Sequence, residues 1–218
     1  MGKEEISHAR ESDRVEQELR HLILTLQIEP GLSVTEASLI QRYGWGRTPL
    51  REAFQRLAEQ SLLQVIPHRG VVVTPLSVFE FVEVMDAMAM VIGPAASLAC
   101  KHLNDEALLQ LDQNVEQSKI AASRSDFIAI AEVDYEFHRF LAEITGNRYL
   151  CEYLIHLHQV ATRFNLASWK RDASAVDSLS EHNRILDALH LHNEEQARAV
   201  MLEHIENARK RVMGTFPQ

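Results

Sequence analysis

Apolar residues recur at helical spacing through most of the chain, and the exceptions mark where it divides. Val15, Leu19, Leu22, Ile23 and Leu26 draw one stripe along a helix of about three turns, which Pro30-Gly31 stops. Thr35 to Tyr43 reads as a second, short helix, with Thr35 as its N-cap and Gly44 as its C-terminal stop. Arg47 to Gln60 makes a third. There Leu50, Ala53, Phe54 and Leu57 face inward, Pro49 sits in the tolerant first turn, and Arg47 and Arg51 share the exposed side. From Leu62 the run LLQVIPHRGVVVTP turns β-branched around Pro67-His68-Arg69-Gly70, which predicts a hairpin with a glycine at its tip.

Beyond a boundary near residues 74–78 the period is helical throughout. Helices are expected over Val78 to His102, Asp105 to Ser123, Ser125 to Thr145, Arg148 to Trp169, about Ser174 to Leu191, and Glu194 to Val212. Asn104-Asp105 and Ser125-Asp126 supply cap oxygens, Gly146-Asn147 ends a helix, and Gly93-Pro94 is expected to kink the first long one. The expected fold is mainly α: a winged helix-turn-helix over residues 1–76, then an antiparallel bundle of six or seven helices over residues 77–218.

Composition agrees with an ordinary globular chain: 218 residues, 46% hydrophobic and 24% charged. Two cysteines, Cys100 and Cys151, are too few for a disulfide framework or a four-thiolate site and read as small core residues. No run approaches the roughly 18 uninterrupted apolar residues of a membrane span, and the start lacks a signal-peptide core. The expectation is a soluble, cytoplasmic protein with no membrane partner.

Charge is uneven. The net value of −9 argues at first sight against a polyanionic partner, but residues 1–76 carry only −1 of it and residues 77–218 carry −8. Within residues 42–70, Arg42, Arg47, Arg51, Arg56 and Arg69 face only Glu52 and Glu59. A basic island therefore falls on the third helix and the hairpin tip. A helix end of this kind suits the major groove of double-stranded DNA, with a wing reaching backbone or minor groove. Arg47 and Arg51 lie one turn apart, Thr48 adds a hydroxyl, and His68, Arg69 and Gly70 form the wing tip. The alternative is that these arginines are solvated surface charges.

The second half holds eight of the 11 histidines. A carboxylate and a histidine at i and i+4 put two metal ligands on one helical face, a spacing shared by Glu4/His8, Asp134/His138 and Glu152/His156. The setting of Asp134/His138 is distinctive, because Val133, Phe137, Phe140 and Leu141 turn the pair toward the bundle interior. His182 and His204 lie beside apolar positions on the last two helices, so a bundle can gather one carboxylate and three imidazoles. That set suits Zn(II) best, with Ni(II) or Mn(II) possible. His156, His158, His190 and His192 read as surface or packing residues.

The string Gly46-Arg47-Thr48-Pro49-Leu50-Arg51-Glu52-Ala53-Phe54-Gln55-Arg56-Leu57, with Pro67-His68-Arg69-Gly70-Val71 after it, resembles the recognition helix and wing of GntR-type bacterial transcription regulators. The resemblance implies a dimeric regulator in which Arg47, Thr48 and Arg51 contact bases or phosphates and Arg69 and Gly70 touch the minor groove. Trp45-Gly46 departs from the small apolar residue and serine usual there, and Ala37 stands where some members have arginine. Asp134-Tyr135-Glu136-Phe137-His138, Gly146-Asn147, Glu181-His182-Asn183-Arg184-Ile185-Leu186 with Ala188, and Ala199 through His204-Ile205 are similar to the helical FCD domain of the FadR-type branch. That likeness implies a divalent metal held by Asp134, His138, His182 and His204, with a small carboxylic acid effector completing its coordination. Many relatives carry an arginine and a glutamate on the first bundle helix where this chain has Met88 and Ile92. Arg163 is then the remaining candidate clamp for the effector, an exposed charge being its other reading.

Three classes follow. The first is a homodimeric, metabolite-responsive DNA-binding regulator. The second is a metal-dependent hydrolase or lyase with an accessory N-terminal domain, for which the chain offers no H-E-x-x-H element or second carboxylate pair. The third is an interaction scaffold, in which Arg47 and Arg51 would be dispensable.

Overall fold

The computed structural model describes residues 3–66, 70–172 and 175–216 and divides into two compact units, Met1–Leu76 and Ser77–Gln218. The first unit begins with α1 (Lys3–Leu24), followed by β1 (Ser33–Val34), α2 (Glu36–Tyr43), α3 (Arg47–Glu59), β2 (Leu63–Ile66) and β3 (Gly70–Val73). Val15, Leu19 and Ile23 of α1 are fully buried, as are Leu50, Ala53 and Leu57 of α3, and the two helices pack on each other. Leu26 belongs to the predicted stripe but lies past the helix end, at φ 55 in the turn that follows.

Capping fixes the short second helix. The Thr35 side chain accepts a hydrogen bond from the Ser38 amide at 3.1 Å, while Ser38 Oγ accepts from the Thr35 amide at 3.3 Å. At the other end Gly44 takes φ 72 and its amide reaches Ile40 O at 2.9 Å. Entry into α3 is thereby set by a residue without a Cβ.

The sheet holds one more strand than the predicted hairpin. Its order is β1-β3-β2, with Ser33 opposite Val72 and Leu63 opposite Val73, both pairings antiparallel. Two residues are too few to show alternation, which is why β1 is invisible in the pattern. His68 and Arg69 of the expected wing tip lie outside the described residues. Gly70 opens β3 at φ 85.

The second unit comprises α4 (Val78–His102), α5 (Asp105–Ser123), α6 (Phe127–Ile144), α7 (Arg148–Asp172), α8 (Ala175–His190) and α9 (Glu194–Thr215). Ser77, Asn104, Asp126, Asn147 and Asn193 each accept a backbone amide with the side chain, starting α4, α5, α6, α7 and α9. α4 is one helix with Pro94 inside it, at the Gly93-Pro94 step that the pattern marks for a kink. It packs against α9, α7 and α6 and contributes Phe81, Met85, Met88 and Ile92 to the core. An 18-residue window of α4 has mean hydropathy 1.5, so composition and length alone would let this helix cross a membrane. The criterion of uninterrupted apolar residues misses it; in the fold its apolar stripe faces the bundle. Gly93 sits so close to α9 that an added Cβ would meet Leu202 at 3.0 Å.

Candidate functional site

Two sets of side chains carry chemistry, one in each unit. On α3 the buried stripe of Leu50, Ala53, Phe54 and Leu57 leaves Arg47, Thr48 and Arg51 on the open face. The Arg47 and Arg51 side chains are 73% and 61% exposed, so neither guanidinium is spent on the core. Both flank one carboxylate: Arg51 Nε donates to Glu36 Oε1 at 2.7 Å, and Arg47 Nε stands 4.0 Å from Glu36 Oε2.

The rest of the basic island is partly neutralised inside the unit. Arg56 donates to Asp13 Oδ1 at 2.7 Å and to Glu16 Oε2 at 3.0 Å on α1, and Arg42 lies over the Tyr43 ring at 5.3 Å. Trp45, the departure ahead of α3, is buried, stacks on Tyr43 at 4.6 Å and donates its indole N–H to Glu18 at 2.7 Å. It is a tie between the turn before α3 and α1.

In the bundle, Asp134 and His138 on α6 meet His182 of α8 and His204 of α9. All four are buried, none more than 3% exposed. His138 Nε2 and His204 Nε2 stand 3.2 Å apart, His182 Nε2 is 3.4 Å from Asp134 Oδ1, and the ligating nitrogens of the three histidines lie within 4.8 Å of one another. Burial pushes the His138 and His182 imidazoles well below their ordinary range and raises the Asp134 carboxyl to about 6. Neutral rings keep the lone pair a metal needs.

Buried polar atoms almost always find a partner, yet among the described residues Asp134 Oδ1 and His182 Nε2 make no hydrogen bond. A cation among these donors would satisfy both. Three nitrogens and one carboxylate oxygen fit Zn(II), Ni(II) or Mn(II) by ligand type.

The surrounding shell is built to hold these rings. Phe137 stacks on His182 with centroids 4.3 Å apart. Glu181 Oε2 accepts a 2.7 Å hydrogen bond from His204 Nδ1, which leaves Nε2 as the ring nitrogen facing the cluster. Glu181 also accepts from Asn207 at 2.9 Å and from both terminal nitrogens of Arg211 at 2.8 and 3.0 Å. Burial alone would raise the Glu181 carboxyl, but the hydrogen bonds from His204 and Arg211 outweigh it and hold it at about 2.

Two residues of this shell went unread in the sequence. Glu181 stood only as part of a family string, and nothing in its spacing announces His204 and Arg211 as partners two helical turns apart on α9. His158 reads as a surface or packing residue, and of the two it packs, within the cluster. It is buried, stacks on His138 at 4.2 Å, and lines a narrow cavity with Asp134, His138, Asn165 and His204. Burial takes its ring down to about 3, and its Nε2 makes no hydrogen bond among the described residues.

Arg163 requires a correction. It is 1% exposed rather than a surface charge, with burial lowering its guanidinium to about 10, and it is not among the residues lining that cavity. A long cation within an amphipathic helix suggests solvent, but the α7 face that carries it is enclosed. Met88 and Ile92 are apolar core.

Comparison with known proteins accounts for both units. Residues 11–73 match the bacterial regulatory proteins of the gntR family, and residues 83–207 match the FCD domain. The HTH-type transcriptional repressor RspR of Escherichia coli K12 is 27% identical over 188 residues, covering 86% of this chain and 82% of that one. The Uxu operon regulator of Haemophilus influenzae is 29% identical over 195 residues, covering 80% and 71%. Among solved structures, E. coli McbR/YncC superposes with a TM-score of 0.86 at 20% identity, covering 95% of this chain and 99% of that one, a likeness of fold. A winged helix-turn-helix followed by an FCD bundle, matched in order along most of its length, makes this chain a member of the gntR family of bacterial DNA-binding transcriptional regulators.

Proposed function

We propose that the protein is a homodimeric, cytoplasmic regulator whose operator affinity responds to a small carboxylic acid. The effector is bound at a divalent metal, Zn(II) in the first instance, held by Asp134, His138, His182 and His204. The observation that carries this reading is the convergence of three buried histidines on a buried carboxylate whose Oδ1 has no hydrogen bond among the described residues. The bound cation supplies open coordination positions for carboxylate oxygens. Asp134 offsets part of the positive charge, Glu181 fixes the tautomer of His204, and Phe137 restrains the plane of His182.

In the DNA-binding unit, Arg47, Thr48 and Arg51 enter the major groove, and the wing of His68, Arg69 and Gly70 tracks the neighbouring backbone or minor groove. Two heads in a dimer read two related half-sites. Regulation is a population shift: the effector binds one arrangement of the dimer better, and a difference of about 1–3 kcal/mol changes operator occupancy about 5–150-fold. Elemental analysis of the purified protein, with calorimetric titration of zinc into the chelator-treated protein and then of carboxylic acids, tests the reading. One equivalent of metal per chain, abolished in His182→Ala and His204→Ala, is expected. No metal and no uptake would refute the site.

A further inference from the structure

The carboxylate of Glu36 stands on the same face as the two arginines assigned to DNA, where a negative charge opposes the binding of phosphates. Its place is fixed: Glu36 is the first residue of α2, directly after the N-cap Thr35 and inside the Thr35/Ser38 capping box. From there it reaches α3, accepting from Arg51 Nε at 2.7 Å and standing 4.0 Å from Arg47 Nε. Among the described residues no hydrogen bond engages the two terminal nitrogens of Arg51, whose side chain is 61% exposed. The donor nearest the helix is occupied, and the two donors at the tip remain as a planar fork.

We infer that Glu36 is a selectivity residue: it orients Arg51 so that its terminal fork meets a base edge end-on, and its charge keeps phosphate oxygens from capturing that fork. The second part follows from the electrostatics of the two acceptors. A phosphate carries a full negative charge and is repelled by a carboxylate a few ångströms away, whereas guanine O6 and N7 carry only partial charges and match the guanidinium bidentately. The pair therefore gives up some sequence-independent attraction and favours reading over positioning. This inference rests on the assignment of α3 to the major groove.

The test uses the full chain, a duplex selected by the wild-type protein from a random library, and a scrambled duplex of equal length. In Glu36→Gln, affinity for the scrambled duplex rises, the slope of log K against log salt steepens by about one, and the preference for the selected duplex falls about tenfold. A residue that only stabilised the start of α2 would move unfolding without changing the salt slope. In Arg51→Lys, which lacks the fork, Glu36→Gln produces no further loss of preference. Unchanged preference and slope in Glu36→Gln, or equal losses with and without Arg51, overturn the inference while leaving DNA reading by α3 intact. Failure of the wild-type chain to select any duplex overturns both.

Discussion

Nδ1 of His204 donates to Glu181 across 2.7 Å, linking α9 to the residue that precedes His182 on α8. One carboxylate thus positions one candidate ligand through a hydrogen bond and adjoins another through the chain. Partners of this kind fix ring orientation and raise ligand basicity, and their loss costs about 10–100-fold in metal affinity. Glu181→Gln is expected to weaken zinc by that factor in a chelator competition, leaving DNA binding by the metal-loaded protein unaltered. Wild-type affinity in Glu181→Gln would mean that His204 needs no orienting group.

Asp134 predicts a trade between stability and binding. Its carboxylate is buried with Oδ1 making no hydrogen bond among the described residues, a cost to the metal-free fold that a neutral amide largely avoids. Asp134→Asn is expected to raise the stability of the chelator-treated protein by about 1–3 kcal/mol. It should also erase the stabilisation by zinc, which at a hundredfold excess over Kd contributes about 2.7 kcal/mol to the wild type. Calorimetry with and without zinc reads both changes. A variant destabilised without metal would show that Asp134 already has adequate partners.

How far the sequence reached follows from the range of each signal. Asp134 and His138 are four residues apart on one helix, so their shared face is local information, and the apolar neighbours of His182 and His204 point both inward. His158 sits on α7, and only the bundle's three-dimensional packing lays that helix beside His138, so an imidazole that stacks in the cluster looked like filler. Arg56 counted toward a basic surface, but its partners Asp13 and Glu16 lie about forty residues upstream and meet it through packing of α1 on α3. Arg163 erred in the opposite direction, its charge suggesting solvent where α7 is enclosed. Capping was legible at Thr35 and Gly44 because a cap is written within a few residues of the end it closes.

Gly44 closes α2 ahead of the turn into α3, and its φ of 72 is one that residues with a Cβ enter at a cost. Open space surrounds the position where a Cβ would stand, so strain in the backbone is the whole penalty. Gly44→Ala is expected to lose about 1–2 kcal/mol in urea unfolding, and Gly44→Asn to lose less. Equal stability of the alanine variant would place the restraint on this turn elsewhere.

Arg47 and Arg51 differ in how they are held, and the difference predicts separate roles on DNA. Arg51 is anchored through Nε at 2.7 Å, whereas Arg47 stands 4.0 Å from the same carboxylate and is the more exposed of the two. An anchored fork suits discrimination between base edges; an exposed, loosely held cation suits neutralising phosphate. Arg51→Ala is therefore expected to cost about 1–3 kcal/mol on the selected duplex and little on a scrambled one. Arg47→Ala should weaken both duplexes alike and reduce the magnitude of the salt slope by about 1. Salt titrations of the two variants on the two duplexes distinguish the roles, and the reverse pattern would exchange the assignments of the two arginines.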